Sequence, residues 1–390
     1  MILGVDASNI RAGGGLTHIS CLLDAVNSGA VTGIRRIVVW GGKRTLGCLT
    51  ASELVELVHA PTLDMPLPFR MTWQRWMLPG CLLKQNCDVL FSPGGVLPAR
   101  INIPAVVMSQ NLLPFEQSEY KRFSLLSFMR WKMLIVRLNQ QRSMAQADGL
   151  IFLTGYARDT VLGVLNRHTR LTKIIPHGIE PRFFCPPRRA ELPENFTDLR
   201  SFRLLYVSTV DVYKHQWQVA EAVSTMRASG IAVSIEFIGP AYGPALKKLT
   251  AALRKLDPDG QFLQYLGAVP FAQLHESYQK ADAFVFASSC ENLPNILLEA
   301  MAAGLPIACS RKGPMPEVLG VCGVYFDPER PEEIGAALLQ LHDHAGLRQE
   351  LAQAAFSSAT AFSWDRCAQD TFEFIKHVAH IGKSLATETD

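Results

Sequence analysis

The sequence predicts an α/β fold made of two doubly wound domains, and three observations support this prediction. Short β-branched runs alternate with longer helical patterns along the whole chain. Most of the predicted strands are uninterrupted apolar runs, as expected for parallel strands that helices cover on both faces. The chain has 390 residues, which is more than one ordinary domain core contains.

A stretch without apolar periodicity, FFCPPRRAELPENFTDLR, divides the predicted strands into two groups. It is rich in proline and charge, as linkers between domains are. We therefore predict a first domain over residues 1–182, a linker over 183–200, a second domain over 201–370, and a terminal helix or tail over 371–390 that packs back towards the first domain. The predicted strands are Ile2–Asp6, Arg36–Trp40, Val89–Ser92, Ala105–Ser109, Gly149–Leu153 and Lys173–Ile175 before the linker, and Arg203–Ser208, Ser234–Ile238, Phe284–Ala287, Pro306–Cys309 and Val324–Phe326 after it.

Composition and charge argue against several other classes of protein. Apolar residues make up 48% of the chain and charged residues 19%, so disorder is not expected. The net charge of +3 is too small and too dispersed to indicate nucleic-acid binding. The nine cysteines show no CxxC spacing, which predicts reduced thiols and no zinc site. No signal-peptide pattern or membrane-spanning apolar run occurs, so we predict a cytoplasmic protein.

The stretch SSCENLPNILLEAMAAGLPIACS carries the strongest chemical signal. Glu291 follows a predicted strand, and a helix is predicted with Asn292 as its N-cap and Pro294 in its first turn. Glu299 lies within this apolar helix, where a carboxylate is costly unless it is hydrogen-bonded. The diol of a ribose would supply two donors. Two alternatives remain open on spacing alone: Glu299 forms a buried ion pair with a Lys or Arg, and Glu291 is a solvated loop acid.

The residues from Glu291 to Pro306 resemble the E-x7-E signature of the retaining GT-B glycosyltransferases of family 4 (glycosyl transferases group 1). The trailing EAMAAGLP and the later GPMPEVLGVCGVYFDP fit the same pattern. Further family-like elements follow the family's order along the chain, namely IIPHGIEPRFF, YVSTVDVYKHQ, FIGP and FSWDRCA. The resemblance implies two Rossmann-like doubly wound domains that face each other across a cleft. It also implies that the first domain binds the acceptor and the second the nucleotide-sugar.

In that family, the first acid of the signature lies beside the hydroxyls and the reacting face of the donor sugar, and the second binds the ribose. The resemblance therefore assigns a catalytic role to Glu291 and donor binding to Glu299. It further implies that backbone N–H groups around Leu293, Pro294 and Asn295 face the donor diphosphate.

Lys214 follows a predicted strand by a short loop, where a cation could neutralise the charge that grows on a leaving diphosphate. The resemblance supports a catalytic role for it, and the alternative is a solvent-exposed loop lysine. The family often carries an arginine shortly before this lysine, where the present sequence has Ser208 or Thr209. A hydroxyl there could bond a phosphate oxygen and so bind the donor, but it supplies no charge. Arg311 and Lys312 are alternative sources of the second cation.

Two stretches that follow strands of the first half are predicted to contact substrates. In the run Gly13–Gly15, Gly14 and Gly15 would let the backbone approach the donor closely, although a flexible turn explains the run equally well. Gln110 and Asn111 stand where family members often carry a histidine, and we predict that they bind the acceptor. An amide holds a hydroxyl but is not a general base. This favours front-face transfer, in which the leaving phosphate takes the acceptor proton.

The segment Lys121–Arg142 has six Lys or Arg residues, no acid, and interleaved aromatic and aliphatic residues. A basic amphipathic helix of this kind can lie on an anionic membrane surface. The alternative is an ordinary domain helix with a solvated basic face. On the first interpretation, we expect the protein to bind peripherally to the inner face of the membrane.

These observations predict a retaining hexosyltransferase that moves a sugar from a nucleoside diphosphate sugar to a glycan or lipid-linked acceptor, in surface polysaccharide biosynthesis. No DxD follows a strand, so we expect no essential metal and no cofactor besides the donor. A nucleotide-sugar epimerase or a phosphorylase on the same fold is one alternative, and a non-catalytic nucleotide-sugar-binding module is another. The Glu291–Glu299 pair argues against the last.

Overall fold

The computed structural model describes residues 1–11, 13–125, 127–165 and 171–387, which form two compact units. The first unit comprises Met1–Gln117, Leu126–Gly178 and Phe362–Asp390, and the second comprises Ser118–Leu125 and Ile179–Ala361. A short segment from the first half of the chain is therefore part of the second unit.

The first unit is built on a seven-stranded sheet with the order β3-β2-β1-β4-β5-β6-β7, in which all pairings are parallel. Its strands are β1 (Ile2–Asp6), β2 (Arg36–Gly41), β3 (Val55–His59), β4 (Val89–Ser92), β5 (Ala105–Met108), β6 (Gly149–Phe152) and β7 (Leu171–Ile174). Its helices are α1 (Gly14–Asn27), α2 (Lys43–Leu46), α3 (Leu67–Thr72), α4 (Leu78–Lys84), α6 (Phe128–Gln146), α7 (Gly155–Leu162) and α15 (Trp364–Thr387), while α5 (Gln117–Tyr120) lies at the boundary with the second unit. A π-helical turn, Trp73–Met77, joins α3 to α4.

The second unit repeats this architecture with a six-stranded parallel sheet of order β10-β9-β8-β11-β12-β13. Its strands are β8 (Phe202–Val207), β9 (Val233–Ile238), β10 (Leu263–Gly267), β11 (Ala283–Phe286), β12 (Ile307–Ser310) and β13 (Val324–Phe326). Its helices are α8 (Gln216–Ala228), α9 (Gly243–Leu256), α10 (Leu274–Lys280), α11 (Asn295–Ala302), α12 (Met315–Leu319), α13 (Pro331–Asp343) and α14 (Ala345–Ala359). Both sheets thus have the strand order of doubly wound nucleotide-binding folds, with the switch points at β1/β4 and β8/β11.

All the predicted strands are present within one or two residues of their predicted bounds, but the structure adds β3 and β10. Both additional strands lie at a sheet edge. Each has only one buried residue, whereas every residue of β4 and β11 is buried. An edge strand is covered less completely, so it does not need the continuous apolar run by which the central strands were predicted.

Two helices begin later than the sequence predicted. The helix after Glu291 begins at Asn295, with Pro294 in the capping position, so the predicted N-cap, Asn292, lies upstream of the helix. Within Lys121–Arg142, the helix begins at Phe128, after Ser127 accepts a capping hydrogen bond from the Met129 N–H. Leu126, in the same segment, lies outside the described residues.

The terminal helix α15 belongs to the first unit, where it packs on α1 and on the central strands β4, β5 and β6. The last three residues of the predicted tail, 388–390, lie outside the described part of the chain. Among the helices that the structure describes, we find none with the length and apolar character needed to cross a membrane.

Candidate active site

The carboxyl ends of β8 and β11 lie side by side at the switch point of the second sheet, where doubly wound sheets bind ligands. Lys214 lies in the loop after β8, and Glu291 lies in the loop after β11. The Lys214 Nζ donates to Glu291 Oε1 in an ion pair. The two side chains are only 7% and 16% exposed, so water screens their attraction weakly. The structure therefore brings the two predicted catalytic residues together.

The Lys214 side chain is held among aromatic rings. Its Nζ lies 5.2 Å from the ring centroid of Tyr213 and 5.5 Å from that of Phe286. The Tyr206 hydroxyl donates to the Lys214 carbonyl at 2.5 Å, which fixes the backbone at this point. An ammonium group in such surroundings is poorly hydrated, so its charge is stabilised by Glu291 and would be stabilised by an anion bound beside it.

Ser208 begins the same loop and is 4% exposed. Its backbone N–H donates to the Ile238 carbonyl at 2.8 Å, whereas its Oγ has no hydrogen-bond partner among the described residues. A buried hydroxyl without a partner is unfavourable, and a ligand oxygen would satisfy it. The alternative cations, Arg311 and Lys312, are partly exposed, and each already pairs with a carboxylate.

The turn before α11 offers fewer backbone donors than the sequence suggested. Pro294 has no N–H, and the Asn295 N–H donates to the Leu293 carbonyl at 3.0 Å. Any diphosphate contact at this turn therefore depends on the N–H groups of Leu293 and Ile296.

Glu299 lies one turn into α11, with 9% of its surface exposed. The fully buried Tyr278 donates its hydroxyl to Glu299 Oε2 at 2.9 Å. Among the described residues no cation lies within ion-pair distance of this carboxylate, and Arg182 acts on it only at longer range. Burial raises the pKa of Glu299 to about 7, although the Tyr278 hydrogen bond acts in the opposite direction. Among the described residues, Glu299 therefore does not form the buried ion pair that remained as the alternative.

A polar network that the sequence did not predict lies next to the Lys214–Glu291 pair. The Ser289 hydroxyl donates to Glu119 Oε2 at 2.6 Å, and Arg122 donates to both Glu119 and Glu329, at 2.8 Å and 2.7 Å. His215 Nε2 lies 3.1 Å from Ser289 Oγ. Burial lowers the pKa of His215 to about 4, and nearby Arg122 adds to this effect, so the ring is neutral at pH 7. Glu119 and Glu329 are too far apart in sequence for spacing to have indicated this network.

In the first unit, Gly15 and Gln110 pack directly on each other. A Cβ added at Gly15 would lie 2.6 Å from Gln110 Oε1, so a larger residue here would displace the Gln110 amide. The neighbouring Gly14 is exposed at the first position of α1. Asn111 is also exposed, but its Oδ1 accepts the Leu113 N–H at 3.2 Å and caps a local turn.

A histidine that the sequence analysis missed lies beside Gln110. The His18 Nδ1 is 3.5 Å from Gln110 Nε2, and the His18 ring is fully buried. His177 stacks between His18 and Trp364, with ring centroids 5.0 Å and 5.3 Å away. Burial holds the pKa of His18 well below its usual value, and His177 lowers it further. His18 is therefore neutral at pH 7.

Asp6 is a second buried group that the sequence analysis missed, at the carboxyl end of β1. It is 2% exposed and accepts hydrogen bonds from the Ser8 N–H at 3.0 Å and from the Gln74 amide. Burial raises the pKa of Asp6. Within the described residues, no group of three or more His, Cys, Asp or Glu side chains is arranged to hold a metal ion.

Comparison with known protein families finds a match within the second unit. Residues 201–344 match the family model described as Glycosyl transferases group 1. Over these residues the second unit is similar to the group 1 glycosyl transferases. This match confirms the predicted family, while its narrower assignment to family 4 stays a prediction.

Curated relatives resemble this chain over part of their length. The O-antigen chain mannosyltransferase B of Escherichia coli is 34% identical over 115 residues, which cover 30% of each protein. Across eight curated relatives, the aligned stretch spans between 25% and 58% of the relative's own length.

Solved structures match this chain over nearly its whole length. Sucrose-phosphate synthase from Thermosynechococcus elongatus superimposes with a TM-score of 0.75 at 15% identity, covering 97% of this chain and 99% of that one. Anabaena HepE in complex with UDP superimposes with a TM-score of 0.70 at 18% identity, covering 96% and 99%. With the two doubly wound sheets, these matches confirm the predicted GT-B fold.

Proposed function

We propose that this chain is a retaining, metal-independent glycosyltransferase that moves a sugar from a nucleoside diphosphate sugar to a glycan or lipid-linked acceptor. The observation that carries the proposal is the Lys214–Glu291 ion pair at the switch point of a group 1 glycosyl transferase domain. The relative named as an O-antigen chain mannosyltransferase supports a role in surface polysaccharide synthesis.

The second unit would bind the donor. The Glu299 carboxylate would accept hydrogen bonds from the ribose diol, which supplies donors that Tyr278 alone does not. The unpartnered Ser208 hydroxyl would bond a diphosphate oxygen, and the Lys214 ammonium, which has three N–H donors, would pair with the same diphosphate while keeping its contact with Glu291. The neighbouring structure solved with UDP supports a nucleoside diphosphate as the ligand class.

The first unit would bind the acceptor through Gln110 and Asn111, and Gly14 and Gly15 would allow close approach of the donor. Transfer then breaks the bond between the anomeric carbon and the diphosphate oxygen. The acceptor oxygen bonds to the same face of that carbon, and the acceptor proton passes to the leaving phosphate. Because Gln110 is an amide, it can hold a sugar hydroxyl without competing for this proton.

The first experiment is a search for the donor. We expect UDP-, GDP- or dTDP-sugars to raise the melting temperature of the protein, because a ligand that binds only the folded state stabilises it. The sugar-nucleotide that gives the largest shift is then assayed for transfer to glycan and lipid-linked acceptors. Failure of every nucleotide to bind would contradict the proposal, and so would turnover that only epimerises the donor.

Replacing Glu299 should weaken donor binding and remove its pH dependence. Losing a charge-assisted hydrogen bond to the ribose costs about 1.5–3 kcal/mol, so Glu299→Gln should raise the Kd for the nucleotide about 10- to 150-fold. The pKa of about 7 also predicts that the wild type binds about 10-fold more weakly at pH 6 than at pH 8, because the diol needs the ionised carboxylate.

Calorimetric titration of both proteins at the two pH values tests this expectation. Glu299→Gln is the control for titration of the nucleotide itself, because the amide does not ionise. An equal pH dependence in both proteins, or unchanged affinity in a folded Glu299→Gln variant, would show that Glu299 does not bind the donor.

We also propose that the first unit contacts an anionic membrane from the cytoplasmic side. Phe128, Trp131, Ile135 and Leu138 form a stripe along α6 and are between 58% and 81% exposed. A cavity of about 140 Å³ lies between α6 and the π-helical turn, and Trp76 and Met77 of this turn are also exposed. Exposed apolar groups beside basic side chains match a membrane interface.

The triple substitution Arg130→Gln, Lys132→Gln and Arg137→Gln should reduce binding to anionic vesicles about 100-fold, since each basic residue contributes about 1 kcal/mol near such a surface. Sedimentation with phosphatidylserine vesicles at low salt measures this. The matched control changes three exposed cations of α9 in the second unit, Lys247, Arg254 and Lys255, to Gln. Equal loss in the control, or no wild-type binding, would rule out the surface.

A further inference from the structure

A basic cavity lies in the second unit at the edge of the sheet opposite Lys214 and Glu291. Its lining includes Arg200, Asp282 and Pro306, which come just before β8, β11 and β12. The cavity therefore lies at the amino ends of these strands, while the candidate active site lies at their carboxyl ends. Even the four-residue strand β11 separates the two edges by about 13 Å.

The lining carries an excess of positive charge. Four arginines face two carboxylates, those of Glu191 and Asp282, which leaves two positive charges in excess. Asp282 is already shared between Arg200, at 2.9 Å, and Arg203, at 3.2 Å. Among the described residues, the other three arginines of the lining, Arg188, Arg189 and Arg348, form no ion pair.

Arg348 is the most informative of these three. It is 3% exposed, and its N–H groups donate to the backbone carbonyls of Glu191, Leu341 and His342. Its guanidinium lies 5.5 Å from the ring centroid of Phe196. These contacts hold the group in place but supply no negative charge. The carboxylates of Glu191, Asp282 and Asp343 act on Arg348 only from beyond ion-pair distance. The charge of the buried guanidinium is therefore incompletely compensated, and an anion in the adjoining cavity would add to the compensation.

The cavity has a suitable size and chemistry for a small phosphate-bearing molecule. Its volume is about 190 Å³, on a scale on which one water needs about 10–15 Å³. A phosphate monoester carries a charge of about −1.5 to −2 at pH 7 and accepts the paired N–H groups of arginine. Leu305, Pro306 and Ala352 form an apolar part of the wall that suits the carbon portion of the ligand.

We propose that this cavity is a second ligand site, separate from the donor site, that binds a small phosphate monoester through Arg188, Arg189 and Arg348. The site does not depend on the reaction proposed above, because none of its residues belongs to the donor site. Inorganic phosphate shares the recognised group, and the two ligands are distinguished by whether the carbon portion adds affinity.

The test is a calorimetric titration of the full chain with glycerol 3-phosphate and with inorganic phosphate at low ionic strength. We expect saturable binding of glycerol 3-phosphate, tighter than that of phosphate. The double substitution Arg188→Gln and Arg189→Gln should weaken it about 10-fold. The matched control, Arg254→Gln with Lys255→Gln, removes two exposed cations of α9 outside the cavity and should change affinity less than about 2-fold.

Three results would overturn the proposal. They are the lack of saturable binding of either ligand by the wild type, an equal loss in the control, and displacement of glycerol 3-phosphate by UDP, which would place it in the donor site. Tighter binding of inorganic phosphate would overturn the monoester assignment. If the double variant does not fold, Arg189→Gln alone replaces it, since this side chain is exposed and has no partner among the described residues.

Discussion

Lys214→Ala is expected to reduce kcat about 10²- to 10³-fold while weakening nucleotide binding much less. The ammonium group is poorly hydrated and lies beside Glu291, so it can stabilise charge without first shedding much water. Negative charge on the diphosphate grows as the glycosidic bond breaks, and a fixed cation therefore stabilises the transition state more than the bound donor. Steady-state kinetics and calorimetric titration with the nucleotide separate the two effects.

Two further variants distinguish catalysis from structure at this position. Lys214→Ala leaves the Glu291 carboxylate without its cation, which lowers stability as well as activity. Lys214→Ala combined with Glu291→Gln should recover stability but not kcat, whereas Lys214→Arg keeps the charge and should retain more activity than Lys214→Ala. If kcat and nucleotide affinity fall by the same factor in Lys214→Ala, the lysine is only a binding residue.

The central strands of the two sheets follow from local sequence patterns. A strand buried on both faces needs an uninterrupted apolar run, and β4 and β11 show such runs. The edge strands β3 and β10 do not, and they were therefore missed. The start of α11 was predicted too early. Pro294 fits both the first helical position and the capping position, and the two possibilities are distinguished only in the folded chain.

Residues of the candidate site that lie within one sequence motif could be predicted, whereas contacts between segments far apart in the sequence could not. The loops after β8 and β11 could be identified from the sequence, which placed Lys214 and Glu291 at one edge of the sheet. The hydrogen bond from Tyr278 to Glu299 joins two helices and has no local signature. The same holds for the contact between Glu119 and Ser289, which are 170 residues apart. Sequence spacing indicates which residues can act together within a motif, but partners such as these depend on packing.

The position of Glu291 bears directly on the stereochemistry of transfer. Retention through a covalent intermediate needs a free carboxylate below the anomeric carbon. Glu291 instead accepts a hydrogen bond from Lys214, which lowers its nucleophilicity, and the resemblance places it beside the sugar hydroxyls. We therefore expect it to orient the sugar and to stabilise positive charge on the ring during front-face transfer.

Glu291→Gln should lower kcat about 10²- to 10⁴-fold, equivalent to about 3–5 kcal/mol, because the amide keeps the shape of the side chain but loses its charge. Nucleotide affinity should change little, since Glu299 and not Glu291 is assigned to the ribose. Proton NMR of the product should show the anomeric configuration of the donor retained with the wild type. Glu291→Asp is the matched control, because it keeps the charge and should retain more activity than Glu291→Gln. An inverted product would refute front-face transfer, and a glycosyl adduct on Glu291 detected by mass spectrometry would show that this carboxylate is the nucleophile after all.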